Sequence, residues 1–507
     1  MNPIKRLAGQ TVIYGLPFIT GRVLGYLLVP LYTRLFLPEE YGIVNVFYSY
    51  TALLLVILTY GMETAFFRYS QEEAGKNKAF GTSFLSLVVS TVLFLILTIT
   101  FSGTVATWIR YPGQHVYVIW FALIIGFDVL TTIPFARLRA MNRPVKFAVL
   151  KTMNIAINLF MNLFFLLLCP YLLRHAQPGA LTELLLLVYD PSWGIEYIFI
   201  SNLIASAATF LLLVPEMTGC RWSFDRNLWK SMFRYSYPLL FAGMAGILNE
   251  TFDRILLRYL LPSNIAETQV GIYSACYKIA ILMTIFITAY RYAADPFFFS
   301  FYMEQDARIT YALVMNYFVI AVSGIFLATM VYLDDFVLPL LIGKNYHEGK
   351  AVIPILMIAH LFLGVYYNLS IWYKLTGQTK WGAWLGILGA VITVALNILW
   401  IPRSPEHYFS GYMGSAWATF TGYGIMLVLS YLLGRKFYRV PYDLKRMTGY
   451  PGIAVLFYML TVVVVPGSLP IRISFHTLLL VMFAGIVWIA ERKHARAFIS
   501  SISRKTG

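Results

Sequence analysis

Apolar residues fill this chain in windows of about twenty positions, separated by short polar or charged stretches, from one end to the other. A helix needs roughly 20 apolar residues to cross the hydrocarbon of a bilayer. The pattern predicts such helices near 10–32, 43–66, 80–107, 116–136, 147–173 and 194–214. A second set is predicted near 236–258, 270–292, 310–331, 351–373, 381–401 and 411–434, and two more near 450–469 and 473–491. The alternation of period two that a barrel strand requires is nowhere sustained. In hydrocarbon every backbone N–H and C=O must be paired within its own segment, which favours helices. The expected fold is an all-α integral membrane protein of about fourteen transmembrane helices.

Composition supports this class. The 507 residues are 59% hydrophobic and 12% charged, with a mean hydropathy of +0.70. A soluble chain carries about 25% charged residues. Charge then sets the orientation. The cytoplasmic side of a membrane protein collects Lys and Arg, and most of the 39 here cluster in alternate connections and the C-terminal tail. The clusters are Arg137/Arg139/Arg143/Lys146, Arg221/Arg226/Lys230/Arg234, Arg435/Lys436/Arg439/Lys445/Arg446 and Arg492/Lys493/Arg496. Both termini are therefore expected inside, with an even number of spans. The formal charge of +16 follows from this bias and from contact with anionic membrane lipids, and needs no nucleic acid. Cys169, Cys220 and Cys276 lie far apart without CxxC spacing, which argues against a disulfide framework or a metal cluster. Lys5 and Arg6 precede a long apolar segment with no small-residue cleavage site, as in a retained first helix.

A short motif occurs twice. Arg34-Leu-Phe-Leu-Pro38 followed by Tyr41-Gly42-Ile43 returns as Arg258-Tyr-Leu-Leu-Pro262 followed by Val270-Gly271-Ile272-Tyr273. Upstream of the first copy lie Pro17 and Gly25, and upstream of the second lie Pro238 and Gly246, each pair at the same mutual spacing. The connection Asn142-Arg-Pro-Val-Lys146 is echoed by Gly377-Gln-Thr-Lys380, and Asn162 and Asn397 sit at similar depth in the helices that follow. Several matches in one order indicate an internal repeat of half the chain, a common plan in transporters. Arg34 and Arg258 themselves are expected to snorkel to the outer interface.

The predicted connections are short, and the longest, near 174–193, leaves no room for an extramembrane catalytic domain. No HExxH, nucleophile elbow, SxxK, P-loop or Rossmann fingerprint is present, and Asp334-Asp335 reads as a solvated helix end. The chain is not expected to be an enzyme or to need a cofactor. The remaining candidate chemistry lies within the membrane, where a charge costs about 2.5–3.5 kcal/mol and should face protein or water. Arg22 falls near the middle of the first helix, as an ion pair or as a cationic site in a cavity. Glu250, Asp253 and Arg254 share one helix, with Glu250 and Arg254 spaced to neutralise each other. Lys278 on the next helix is placed to pair with Asp253 or to meet an anion, and Asp128 is a further deep carboxylate. Glu63 with Arg68, and Arg291 with Asp295, read as interfacial pairs. His360 reads as a hydrogen-bonded packing residue. Asn158, Asn162, Asn249, Asn316 and Asn397 are suited to bonds between helices, and Gly382, Gly386 and Gly389 to close packing.

The stretch Pro17…Gly25, the run Tyr32-Thr-Arg-Leu-Phe-Leu-Pro-Glu-Glu-Tyr-Gly42 and the second-half copy resemble the polysaccharide transporters of the MATE-like (MOP) flippase superfamily. Within it the chain is similar to the O-antigen and capsule repeat-unit flippases. The resemblance implies two six-helix lobes, 1–215 and 216–440, related by a pseudo-twofold axis around a central cavity. Residues 441–507 would add two helices and a basic cytoplasmic tail. It implies a lipid-diphosphate-linked oligosaccharide, typically on undecaprenol, moved by alternating access across the bacterial inner membrane beside polysaccharide-assembly enzymes. A cationic cavity follows from it, with Arg22, Arg254 and Lys278 as candidates for the diphosphate. Without an ATP site, coupling to H+ or Na+ would fall to Asp128, Glu250 and Asp253. Pro17 and Pro238 are candidate bends. The alternatives are a drug or organic-cation antiporter of the same superfamily, a sugar polymerase or ligase, and a peptidoglycan-precursor flippase.

Overall fold

The computed structural model describes residues 25–70, 76–175, 179–218, 222–302, 304 and 306–506, and among them the backbone is helical almost throughout, with no strand. Helix α1 covers 25–35, and a tight turn leads into α2 (Pro38–Thr59) and α3 (Met62–Tyr69). Pro38 opens α2 where a missing N–H costs nothing, and the Glu40 side chain accepts from the Leu37 N–H at 2.8 Å. Positive φ at Tyr60 (33°) and Gly61 (69°) separates α2 from α3. There follow α4 (Lys76–Thr100), α5 (Ser102–Trp108), α6 (His115–Ala140), α7 (Pro144–Leu163), which passes through a π-turn into α8 (Cys169–His175), α9 (Ala180–Val188) and α10 (Glu196–Thr218). The second half holds α11 (Arg226–Leu260), α12 (Ser263–Phe301), α13 (Ala307–Val331), α14 (Leu338–Leu341), α15 (Val352–Leu369), α16 (Ile371–Leu375), α17 (Thr379–Trp400) and α18 (Gly411–Phe437). The chain ends with α19 (Leu444–Val463) and α20 (Leu469–Thr506).

Twelve of the described helical segments are long and apolar enough to cross a membrane. The span expected near 10–32 falls mostly outside the described residues, Pro17 and Arg22 included. The span expected near 236–258 lies within α11, which has length to spare at 35 residues. It is not among the twelve because Asn249, Glu250, Asp253 and Arg254 interrupt its apolar run.

In the first half α6 packs against α4 and α10, and α10 against α7. In the second, α15, α17 and α18 form a group, and α2 runs along both α11 and α12. The polar side chains bind helix to helix. Tyr32 Oη donates to Asn162 Oδ1 at 2.7 Å, joining α1 to α7. At the matching place in the second half, Ser415 Oγ donates to Asn397 Oδ1 at 2.5 Å, joining α18 to α17. Asn249 donates to the Gly386 carbonyl at 3.2 Å, also between helices, whereas Asn158 bonds Asn162 of its own helix and the Asn316 Oδ1 has no partner among the described residues. Helices α19 and α20 are clamped to the body through α13.

Several charges differ from expectation because tertiary neighbours outbid local ones. Asp335 is not solvated. Its side chain is 1% exposed and pairs with Arg472 and, at 3.1 Å, with His476, fastening α20, while Asp334 stays exposed beside Lys350. Glu63 pairs with Arg139 rather than Arg68, whose guanidinium lies over the Tyr235 ring at 4.4 Å. Asp295 takes Lys374 at 3.0 Å, and Arg291 lies over Tyr367 at 4.0 Å. Arg34 is exposed, but Arg258 does not snorkel: it is 4% exposed and ion-paired with Glu267 at 2.8 Å.

Candidate functional site

Two groups of charged and polar side chains lie within the helical body. The first is built on α11. The turn of helix over 249–254 carries Asn249, Glu250, Asp253 and Arg254, on a helix packed against α12, α17 and α18. Arg254 turns its guanidinium back along its own helix, donating to the Glu250 carbonyl at 2.5 Å and to Asp253 Oδ1 at 2.8 Å. Tyr273 Oη of α12 donates to the other Asp253 oxygen at 2.6 Å. The guanidinium lies over the Tyr277 ring at 4.1 Å and near the Tyr273 ring at 5.4 Å. A cation held over aromatic faces and against a carboxylate is satisfied without water. Both members are buried, Asp253 at 3% and Arg254 at 7%.

Arg254 is thus neutralised by Asp253 instead of the Glu250 carboxylate, and Asp253 is unavailable to Lys278. Glu250 and Lys278 are half-buried, and among the described residues neither side chain makes a hydrogen bond or ion pair. They interact electrostatically across the same space. Around them His360, buried, donates from Nδ1 to the Leu356 carbonyl at 2.7 Å and stands edge-on to Tyr277, which fits its expected packing role. Thr393 Oγ1 donates to Asn249 Oδ1 at 3.1 Å, and Tyr423 Oη to the Asn249 carbonyl at 3.2 Å. The four charges of this group cancel. Arg22, the further cationic candidate, lies outside the described residues.

The second group lies in the first half, around a cavity of about 280 Å³ lined from α2, α3, α6, α7 and α10. Ser206 Oγ donates to Asp128 Oδ1 at 2.8 Å. Asn154 donates to Thr209 Oγ1 at 2.8 Å. The Lys151 ammonium stands over the Phe135 ring at 4.2 Å, and the Glu63–Arg139 pair forms part of the wall. Asp128 therefore belongs to a different place from Glu250 and Asp253. Lys151 was not a sequence candidate because it follows the Arg143/Lys146 cluster closely. Only its position about two turns inside α7 marks it as deep. Tyr273 and Tyr277 gave no signal of their own among 36 tyrosines.

Pro238 sits in the interior of a continuous α11 with its ring exposed, and no Cβ neighbour crowds Gly246. Among the described residues no group of three or more His, Cys, Asp or Glu is placed to hold a metal ion.

The sequence model of the family described as polysaccharide biosynthesis protein matches residues 7–302. No curated protein sequence matches the chain. Among solved structures the fold is similar to the lipid II flippase MurJ in an inward closed conformation, at 15% identity and a TM-score of 0.66, covering 94% of this chain and 99% of the other. It is similar to the inward-facing conformation of a multidrug resistance MATE family transporter of the MOP superfamily, at 14% identity and a TM-score of 0.61, covering 87% and 96%. A MOP superfamily transporter from Pyrococcus furiosus, described as having a binding pocket of reverse polarity, aligns at 12% identity and a TM-score of 0.57, covering 89% and 99%.

Proposed function

Because this chain belongs to the polysaccharide biosynthesis protein family, we propose that it is a flippase for a lipid-diphosphate-linked oligosaccharide, an undecaprenyl-type repeat unit, in the bacterial inner membrane. The observation that carries the reading is the union of that family with a transporter frame: 94% of the chain aligns with the fold of a lipid flippase. In this reading 1–215 and 216–440 are two lobes that rock about the α2–α11–α12 contact, and 441–507 are appended. The basic clusters face the cytoplasm, and O-antigen or capsule units are the expected cargo.

The proposed diphosphate site is built on the α11–α12 group of the second half. Lys278, with no partner among the described residues, is the cation available to a phosphate oxygen, and Arg22 is its expected companion. Arg254, already satisfied by Asp253, holds the field and the shape of the site rather than the ligand. Glu250 is the carboxylate with unsatisfied capacity there, and it is the proposed place for a coupling H+ or Na+, with Asp128 as a second place beside Lys151. One charge moved across 100 mV supplies about 2.3 kcal/mol, enough to bias such a cycle. Pro238, and Pro17 in the first lobe, would let the long helices bend.

Leaflet translocation of a lipid-diphosphate oligosaccharide in proteoliposomes tests this directly. Wild type should translocate, and Lys278→Ala should lose roughly tenfold or more, the worth of one charge-assisted hydrogen bond. A second reading, an organic-cation antiporter, is favoured by the MATE-type frame and by the cancelling charges of the α11–α12 group. Gradient-driven cation uptake by wild type, with no lipid translocation, would decide for it.

A further inference from the structure

The repeated motif lies at the end of the molecule opposite the basic clusters, and there its two copies meet. Gly42 of α2 and Gly271 of α12 lie in the opening turns of the helices that follow the two copies, four residues after Pro38 and nine after Pro262. A Cβ on Gly42 would stand 2.1 Å from the Glu267 carbonyl oxygen, and one on Gly271 would stand 1.8 Å from the Pro38 carbonyl oxygen. In each case the carbonyl lies one helical turn before the other glycine. The contact is self-reciprocal, as a twofold relation between halves requires. Only glycine lets the two backbones come this close.

The repeated arginines are exchanged in the same way. Arg34 of the first half donates to the Pro339 and Leu340 carbonyls at 2.9 Å each, in the connection between α13 and α15. Arg258 of the second half donates to the Arg110 carbonyl at 2.6 Å, in the corresponding connection between α5 and α6. Arg110 returns a bond to the Tyr259 carbonyl at 2.9 Å, and Tyr259 Oη donates to the Trp108 carbonyl at 2.6 Å. Three further ties cross the same surface. Thr268 Oγ1 donates to Glu39 Oε1 at 2.8 Å, the Gly343 N–H to Thr33 Oγ1 at 3.0 Å, and Tyr346 Oη to the Phe36 carbonyl at 2.9 Å.

We propose that the two motif copies form a reciprocal latch that seals this end of the path between the halves, and that its release is the step that opens the protein to this side. The proposal rests on the alternating-access reading above. It gives the repeat a mechanical purpose: every tie is made by one half to backbone or side chain of the other, so separating the halves breaks them together. The arginines donate to carbonyls and not to carboxylates of the opposite half. Water can replace those bonds when the end opens, and no stranded charge is left.

Distance measurement between spin labels tests the latch without any substrate. Labels on Gln114→Cys and Glu406→Cys, in exposed connections of the two halves at this end, would be placed in full-length protein lacking Cys169, Cys220 and Cys276. Wild type should give one dominant short distance. Gly42→Ala/Gly271→Ala should wedge the end apart and add a longer population, and so should Arg34→Ala, which is exposed and leaves the fold intact. An unchanged distribution in folded Arg34→Ala and in the folded glycine variant overturns the latch. Should the glycine variant not fold, a Glu39→Cys/Thr268→Cys crosslink decides: held oxidised, it should abolish translocation and regain it on reduction, and undiminished translocation by fully crosslinked protein overturns the proposal. If wild type translocates nothing, the flippase reading fails while the label distances still decide the latch.

Discussion

Asp253 holds together more than its neighbour. One oxygen takes Arg254, the other takes Tyr273 Oη, and the guanidinium so fixed lies over Tyr277. Removing one member of a buried pair leaves the other charge stranded, at a cost of about 3–5 kcal/mol. Asp253→Ala should therefore lower the midpoint of thermal unfolding in detergent sharply. Asp253→Ala/Arg254→Met should recover most of the loss, because no uncompensated charge remains. Equal stability of wild type and Asp253→Ala would mean that the pair contributes nothing. At this scale the sequence located the charges, but it paired them wrongly in three places. Helical spacing put Arg254 with Glu250, Arg68 with Glu63 and Asp295 with Arg291. Tertiary neighbours supplied Asp253, Tyr235 and Lys374 instead. Spacing along one helix offers an exposed pair only about 0.3–0.5 kcal/mol, too little to resist a partner from another helix.

Among elements, α20 shows how an apolar helix is attached where hydrophobicity cannot select its neighbour. Lipid is as apolar as protein, so polar contacts and fit decide helix association. Near one end of α20, Asp335 receives Arg472 and His476. Further along the same helix, Glu491 accepts from Arg446 at 3.1 Å and from Tyr450 Oη at 2.6 Å, tying α20 to α19. Asp335→Ala should loosen the first attachment by about 2 kcal/mol. The measurable result is faster proteolysis in the 464–468 connection, with the remainder of the chain unchanged. Identical cleavage rates would show that apolar packing alone suffices. The apolar windows announced α20 as a helix, but the partner of Asp335 lies more than a hundred residues away, and no local pattern points to it.

For the whole molecule, the repeat and the charge bias make a joint claim about sidedness. Arg34, Arg258 and the connections they reach share one end, and the clusters around Arg139, Arg226 and Arg439 belong to connections of the other. A single cysteine at Glu406 should react with an impermeant maleimide in intact cells, and one at Arg439 only after permeabilisation. The reverse pattern would invert the orientation and turn the latch toward the cytoplasm. The cluster around Asp128 and that around Glu250 lie in different halves of the chain.

By itself the sequence determined the class, most of the helices, the repeated motif and the family, because each follows from short-range regularities. Bilayer thickness sets window length, hydrocarbon forces backbone pairing within each segment, and the two motif copies carry their arginine, proline and glycine in the same order. It also marked α11 as exceptional, through the charges that interrupt its apolar run. Only the tertiary structure decided which charge meets which, that Asp128 and Lys151 share a cavity apart from Glu250 and Lys278, and that the two motif copies clasp each other. These relations join residues hundreds of positions apart. Their energies depend on distance, burial and the competing partners that folding brings within reach, none of which is written along the chain.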